Sequence, residues 1–234
     1  LQVRHSNGGG YGVPDRDDWG KSKQWTGAIY SKNRLTQNWL STVTVSHTDI
    51  RRTYNTANGY NYITGLNDYN ASNKYHSETS MLQWVNEIVL SSNWMLTAGV
   101  DFGNDKAEVD ADSYSRDKYS AYAGVLGKIG AHNLQANIRY DHVDDSGADT
   151  TGYLGYGYDL TSQWKLLASV STSFLAPTLY QQYAPYYGNK SLKSERSTNY
   201  EAGIQYAQGK DLVRLTAFEW HTRDLIGSDS NYMY

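Results

Sequence analysis

The feature that most limits what this chain can become is a period of two, polar against apolar, that runs for about 10 to 15 residues at a time. Soluble sheets are built from strands of about 5–6 residues, so segments of this length point to a wall tall enough to cross a membrane. Roughly ten such segments can be drawn, over 20–32, 37–51, 76–90, 93–107, 116–129, 132–144, 149–160, 163–175, 197–208 and 211–226. In one of them Leu134, Ala136, Ile138 and Tyr140 alternate with Gln135, Asn137, Arg139 and Asp141. In another, Trp164, Leu166, Ala168 and Val170 stand opposite Lys165, Ser169 and Ser171. The alternation predicts Ala98, Val100, Leu134, Ile138, Leu166 and Val170 toward lipid, with Thr97, Asp101, Asn137, Arg139, Ser169 and Ser171 toward a hydrated interior. No apolar run approaches the ~18 residues of a membrane-spanning helix, and the mean hydropathy is −0.69. The fold class read from the pattern is therefore all-β, an antiparallel transmembrane β-barrel, with residues 1–234 forming part of that one domain.

The connections are read as alternating in length. Tight turns fall near 33–36, 91–92, 130–131, 161–162 and 209–210, and longer polar segments at 52–75, 108–115, 145–148 and 176–196. Short turns on one side and long loops on the other are what outer-membrane barrels have at their periplasmic and extracellular ends. Trp39, Trp94 and Trp164 each follow a short turn, directly after Asn38, Asn93 and Gln163. That spacing predicts a row of indoles at one membrane interface. The composition agrees, with 22 Tyr and 7 Trp beside only 3 Phe, because Tyr and Trp join an apolar body to a polar tip.

Several function classes lose support at this stage. A net charge of −3 with scattered Lys and Arg offers no basic face, so no nucleic-acid partner is expected. The chain has no Cys, which removes disulfides and thiol chemistry. Leu1 does not open a signal peptide, since Arg4, His5 and Gly8 to Gly10 interrupt any apolar core, and the start is expected to be mature, trimmed or internal. Serine-nucleophile elbows, phosphate loops and zinc-protease signatures are missing. His142 near Asp144 and Asp145 has the residue types for activating water, yet polar strand ends commonly hold such groups.

One stretch carries a resemblance. Ser171 to Leu179, with Ala176-Pro177, leads to Tyr183-Ala-Pro-Tyr-Tyr-Gly-Asn189, then Leu192, Glu195, Ser197 and Tyr200-Glu-Ala-Gly203. It resembles the strand–loop–strand found in the C-terminal half of TonB-dependent receptors. Gln83-Trp84-Val85-Asn86, Ala98-Gly99-Val100-Asp101 and Arg223-Asp224-Leu225-Ile226 are similar to the cobalamin transporters among them. The family usually has Pro before the Glu that stands here at Glu195, where this chain has Ser194.

The resemblance implies import of cobalamin (vitamin B12) across the outer membrane of a Gram-negative bacterium, or of a ferric siderophore as the alternative within the family. It also implies a barrel of about 22 strands, a plug domain, and the TonB energy-coupling protein acting through that plug. No plug is recognisable here, so these residues are expected to be part of a larger receptor in contact with outer-membrane lipid. No covalent cofactor and no catalysis are implied. Ligand contacts are expected from Tyr54, Asn55, Tyr183, Tyr186, Tyr187 and Asn189, whose rings and amides suit a corrin edge and its carboxamides. Asp15, Asp17 and Asp18, ahead of the first drawn strand, are candidates for Ca²⁺, which takes hard oxygen ligands. Two other classes stay open: a ten-stranded outer-membrane protease, and a passive porin.

Overall fold

The computed structural model describes residues 2–7, 16–61, 66–109, 112–185 and 187–227. They form one antiparallel sheet of eleven strands. These are β1 (Gln2–Asn7), β2 (Arg16–Thr36), β3 (Trp39–Asn61), β4 (Leu66–Ser91), β5 (Trp94–Val109) and β6 (Asp112–Ile129). There follow β7 (His132–Val143), β8 (Gly147–Asp159), β9 (Trp164–Leu175), a short helix α1 (Leu179–Tyr183), β10 (Glu195–Gln208) and β11 (Asp211–Arg223). Each strand pairs with its neighbour in the chain, and among the described residues β11 does not pair with β1, so the sheet is an open stretch of barrel wall. No described helix is long and apolar enough to cross a membrane.

The structure corrects the expected connections. Segment 52–75 is not a loop: β3 and β4 stay paired through Thr53↔Lys74, Tyr54↔Asn73 and Asn55↔Ser72. Segment 108–115 is likewise mostly paired strand, with Glu108 opposite Ser113, and 145–148 closes as a tight turn with Asp145 and Gly147 at positive φ. The physical reason is that the ladder needs only backbone partners. Beyond the lipid both faces of a strand are wet, so its side chains have no cause to alternate. β4, at 26 residues, far exceeds the about 9–11 that a tilted strand needs to cross the bilayer. Of the expected long connections, 176–194 is the one that leaves the sheet among the described residues. The short strand β1 is an eleventh element beyond the ten drawn from the sequence.

Three of the short turns share a device. The sequences Thr36-Gln-Asn-Trp39, Ser91-Ser-Asn-Trp94 and Thr161-Ser-Gln-Trp164 each place a hydroxyl two residues before an amide. Asn38 N–H donates to Thr36 Oγ1 at 3.3 Å, Asn93 N–H to Ser91 Oγ at 3.3 Å, and Gln163 N–H to Thr161 Oγ1 at 3.1 Å. Such local bonds satisfy turn amides that no ladder reaches. Two other turns use Gly130 and Gly209, at φ 57° and 60°, a conformation in which a Cβ is costly.

The register fixes the faces, because cross-strand partners point the same way and successive residues point oppositely. Ala98↔Ala123↔Ile138 and Val170↔Leu154 lie on one face, together with Leu134 and Leu166. Thr97↔Gly124↔Asn137 and Asp101↔Ser120 lie on the other, with Arg139, Ser169 and Ser171. Trp39, Trp94 and Trp164 all sit on the apolar face at the short-turn end, as an interface row requires. Trp39 Nε1 donates to Asn86 Oδ1 at 2.9 Å, and Trp164 packs on Tyr206 with ring centres 5.0 Å apart.

Candidate ligand site

The polar face carries the site. Near the end away from the short turns, Asp105 on β5 gathers Lys118 Nζ at 2.8 Å, Thr79 Oγ1 at 3.0 Å and the Arg116 guanidinium at 3.5 Å. Arg116 also donates from Nη1 to the carbonyl of Pro177 at 2.5 Å, which draws the segment after β9 inward over the polar face. That segment has its own small core, with Pro177, Leu179, Gln182, Ala184 and Ser194 buried. Thr178 starts α1 with a capping box: its Oγ1 accepts from Gln181 N–H at 3.1 Å, and Gln181 Oε1 accepts from Thr178 N–H at 2.8 Å.

Between the folded-in segment and β3 to β6 lies a cleft of about 730 Å³. Its rim is aromatic. Tyr54 meets Tyr75 edge-on with ring centres 5.9 Å apart, and Tyr75 meets Tyr180 of α1 at 5.6 Å. Its charged lining sets Arg52, Lys106, Arg116 and Lys118 against Glu78, Asp105 and Glu108, with His76 beside them. Since Asp105 engages both Arg116 and Lys118, the cleft presents aromatic surface and hydrogen-bonding groups more than bare positive charge.

The expected ligand residues divide by position. Tyr54 reaches the cleft, whereas Asn55, the next residue of β3, falls on the opposite face of the sheet. Tyr183 is committed within the loop: its ring stacks on Tyr114 at 4.3 Å, Lys190 Nζ lies 5.0 Å from its ring centre, and its hydroxyl donates to Asp145 Oδ2 at 3.0 Å. Burial, helped by the Asp145 carboxylate, raises the Tyr183 hydroxyl above the usual tyrosine pKa. Tyr187 is exposed, and Tyr186 lies outside the described residues. Asn189 serves the turn, its N–H donating to Gln181 O at 2.8 Å and its Oδ1 accepting from Ser191 N–H at 2.9 Å. Gly188 allows this turn, because a Cβ there would lie 2.6 Å from Ala184 N.

Ser194, where the resembled pattern has Pro, donates from Oγ to Ser146 O at 3.4 Å. His142 stacks on Tyr119 at 4.6 Å on the apolar face, away from the cleft. Asp15 lies outside the described residues, and Asp17 and Asp18 are not ahead of a strand but inside β2, paired with Ser6 and His5. The sequence reading missed Tyr75, Tyr180 and Arg116. The strand parity of Tyr75 with Gln83 and the Thr178-x-x-Gln181 cap were the signals that could have found the first two.

Comparison with known proteins gives a consistent result. Residues 2–234 match the family model described as TonB dependent receptor-like, beta-barrel. The vitamin B12 transporter BtuB of Vibrio cholerae is 30% identical over 172 residues, covering 70% of this chain and 28% of the transporter. BtuB of Photobacterium profundum is 30% identical over 142 residues, covering 59% and 23%. Among solved structures, the siderophore receptor PirA of Acinetobacter baumannii superimposes with a TM-score of 0.72 at 18% identity, over 93% of this chain and 38% of that one. The ferric enterobactin receptor PfeA of Pseudomonas aeruginosa gives 0.68 at 18%, over 88% and 35%.

Proposed function

Because the chain belongs to the TonB-dependent receptor family, as part of its β-barrel in the outer membrane of a Gram-negative bacterium, we propose that it lines the import path of a cobalamin transporter. The observation that carries the ligand is the 30% identity to vitamin B12 transporters over 70% of the chain. The chain spans 28% of that relative's length, so whole-receptor uptake, a plug and coupling to TonB are part of the proposal. The siderophore receptors match at 18% identity and speak for the fold alone.

The cleft supports a corrin over an anionic iron chelate. Glu78, Asp105 and Glu108 stand in the lining against Arg52, Lys106, Arg116 and Lys118, so little net positive charge is left to hold an anion. Tyr54, Tyr75 and Tyr180 offer ring faces and edges to a large, partly apolar ligand, and their hydroxyls can bond carboxamides. Tyr186 and Tyr187 are further proposed contacts, Tyr187 being exposed, while Asn55, Tyr183 and Asn189 act on the wall and the turn. The mechanism is binding followed by gated passage, with no bond made or broken. The family match favours a receptor over the protease and porin readings. Calcium at Asp15, Asp17 and Asp18 would need further carboxylates from elsewhere in the receptor, and no step is routed through it.

The test is equilibrium binding of cyanocobalamin to the full-length receptor in detergent. Tyr54→Ala together with Tyr180→Ala is expected to weaken binding at least several-fold, since a stacked Tyr contributes on the order of 1 kcal/mol. Unchanged cobalamin affinity in this variant would remove the cleft from the path. A wild-type receptor that ignores cobalamin and binds a ferric chelate would overturn the ligand.

A further inference from the structure

Past the apolar belt, Asp49 of β3, His76 and Glu78 of β4, and Glu108 of β5 form a cluster whose strand parity sets it opposite Tyr54, Tyr75 and Thr79, although His76, Glu78 and Glu108 also border the cleft. His76 Nε2 lies 2.9 Å from Asp49 Oδ2 and 3.4 Å from Glu78 Oε1, and its Nδ1 lies 3.2 Å from Glu108 Oε2. The side chains of Asp49, His76 and Glu78 are each two-thirds or more shielded from solvent. One ligand atom from each of these three falls within 4.8 Å of the other two.

The register makes this arrangement unusual. Asp49 and Glu78 are direct cross-strand partners, and so are His76 and Glu108. Two carboxylates placed directly opposite on adjacent strands repel, so the pair is favourable only with positive charge between them. Arg51 supplies part of it, its Nη2 lying 3.0 Å from Asp49 Oδ2. Its side chain is 64% exposed, and Lys106 stands directly opposite Glu78 on β5, so two cationic side chains face three carboxylates.

The geometry points to a divalent transition-metal site, with Zn²⁺ as the cation, ligated by Asp49, His76 Nε2 and Glu78. A tetrahedral Zn²⁺ with bonds of about 2.0–2.1 Å needs its ligand atoms about 3.3 Å apart, and the observed spacings bracket that value. The single nitrogen among oxygens selects a borderline metal over Ca²⁺ or Mg²⁺, which favour oxygen alone. Glu108 accepts from Nδ1–H of the same imidazole, which fixes the tautomer that leaves Nε2 free to bind metal. Three protein ligands leave a fourth position open to water. The site joins β3, β4 and β5 at their exposed ends, where a bound cation would brace the paired strands above the membrane.

The experiment is titration of Zn²⁺ alone into the full-length receptor, purified without a polyhistidine tag, by calorimetry. These residues contain no cysteine to compete. One saturable site is expected, with affinity reduced at least tenfold in His76→Gln and in Glu78→Gln. Glu108→Gln is expected to keep the stoichiometry and weaken affinity by about 10–100-fold, as loss of an orienting partner does. Because the strands that carry these three residues also border the cleft, heat-modifiable migration on gel electrophoresis, a property of the folded barrel, serves as the check that each variant has folded. Equal zinc binding by wild type and His76→Gln, no saturable zinc binding by wild type, or Ca²⁺ binding there as tightly as Zn²⁺, would each overturn the proposal.

Discussion

Arg139 on β7 reaches across β6 to place its Nη2 2.9 Å from the carboxylate of Asp101 on β5, a side chain only 5% exposed. The same guanidinium donates to Asp141 at 2.9 Å and to Ser120 Oγ at 2.6 Å, and lies over the Tyr122 ring at 5.1 Å. One side chain thus ties three strands of the polar face. It also supplies the charge that lets Asp101 be buried, with Gln83 Nε2 at 3.4 Å as its lesser partner.

Removing the cation alone leaves a shielded carboxylate without its counter-charge. Arg139→Gln is expected to cost on the order of 3 kcal/mol, and Asp101→Asn with Arg139→Gln distinctly less. Denaturant unfolding of the receptor in lipid vesicles, followed by Trp fluorescence, measures both. Single and double variants of equal stability would show that the pair acts independently.

Gly127 stands directly opposite Trp94, and a Cβ there would lie 2.4 Å from the indole ring. Gly127→Val is expected to push the indole out of its interface position at a cost of about 1–3 kcal/mol. Collisional quenching by lipid-borne probes reports the depth of Trp94 once every other Trp of the receptor, here Trp19, Trp25, Trp39, Trp84, Trp164 and Trp220, has been replaced by Phe. An unmoved indole would show that the strand gives way instead.

Tyr183 holds the inward-folded segment by its stack on Tyr114 and its bond to Asp145. Tyr183→Ala is expected to raise hydrogen exchange and protease cleavage across 176–194 while leaving the strands protected, since such a stack contributes about 0.5–1.5 kcal/mol. The hydroxyl also sets a pH limit. Its folded pKa is raised, so the contribution is whole below the ordinary tyrosine value of about 10 and is lost as pH climbs through the folded value. Exchange in the segment should therefore be flat between pH 6 and 9 as far as this group is concerned, about neutral conditions, and rise only in strong alkali. Tyr183→Phe should lose that alkaline step.

What the sequence disclosed followed the bilayer. Where one face meets lipid and the other water, side chains must alternate, and Ala98, Ile138, Leu166 and Val170 were assignable for that reason. Above the bilayer the demand vanishes: Thr53, Tyr54 and Asn55 pair with Lys74, Asn73 and Ser72 through backbone alone, and their composition looks like a loop. The cleft was half visible. Tyr54 could be placed near a strand end, but its meeting with Tyr75 and Tyr180 depends on how far β3 and β4 continue and on Arg116 drawing Pro177 inward, which no local pattern records. The opposition of Asp49 and Glu78 is hidden for the same reason, since it depends on cross-strand register between residues 29 positions apart.

The strictly sequential strand order bears on how such a wall is made. Every strand finds its partners next to itself along the chain, from β1 to β11. The entropy lost in closing most hairpins is therefore that of one short link, with 176–194 between β9 and β10 the long exception among the described residues, and little long-range search is needed before pairing begins to stabilise the chain. Turns that bond their own amides, at Thr36, Ser91 and Thr161, make hairpins that can form where they emerge. Assembly can then proceed like a zip, each strand offering its open edge to the next, and a defect in one hairpin should stall the growing edge at that strand while leaving those already paired in place.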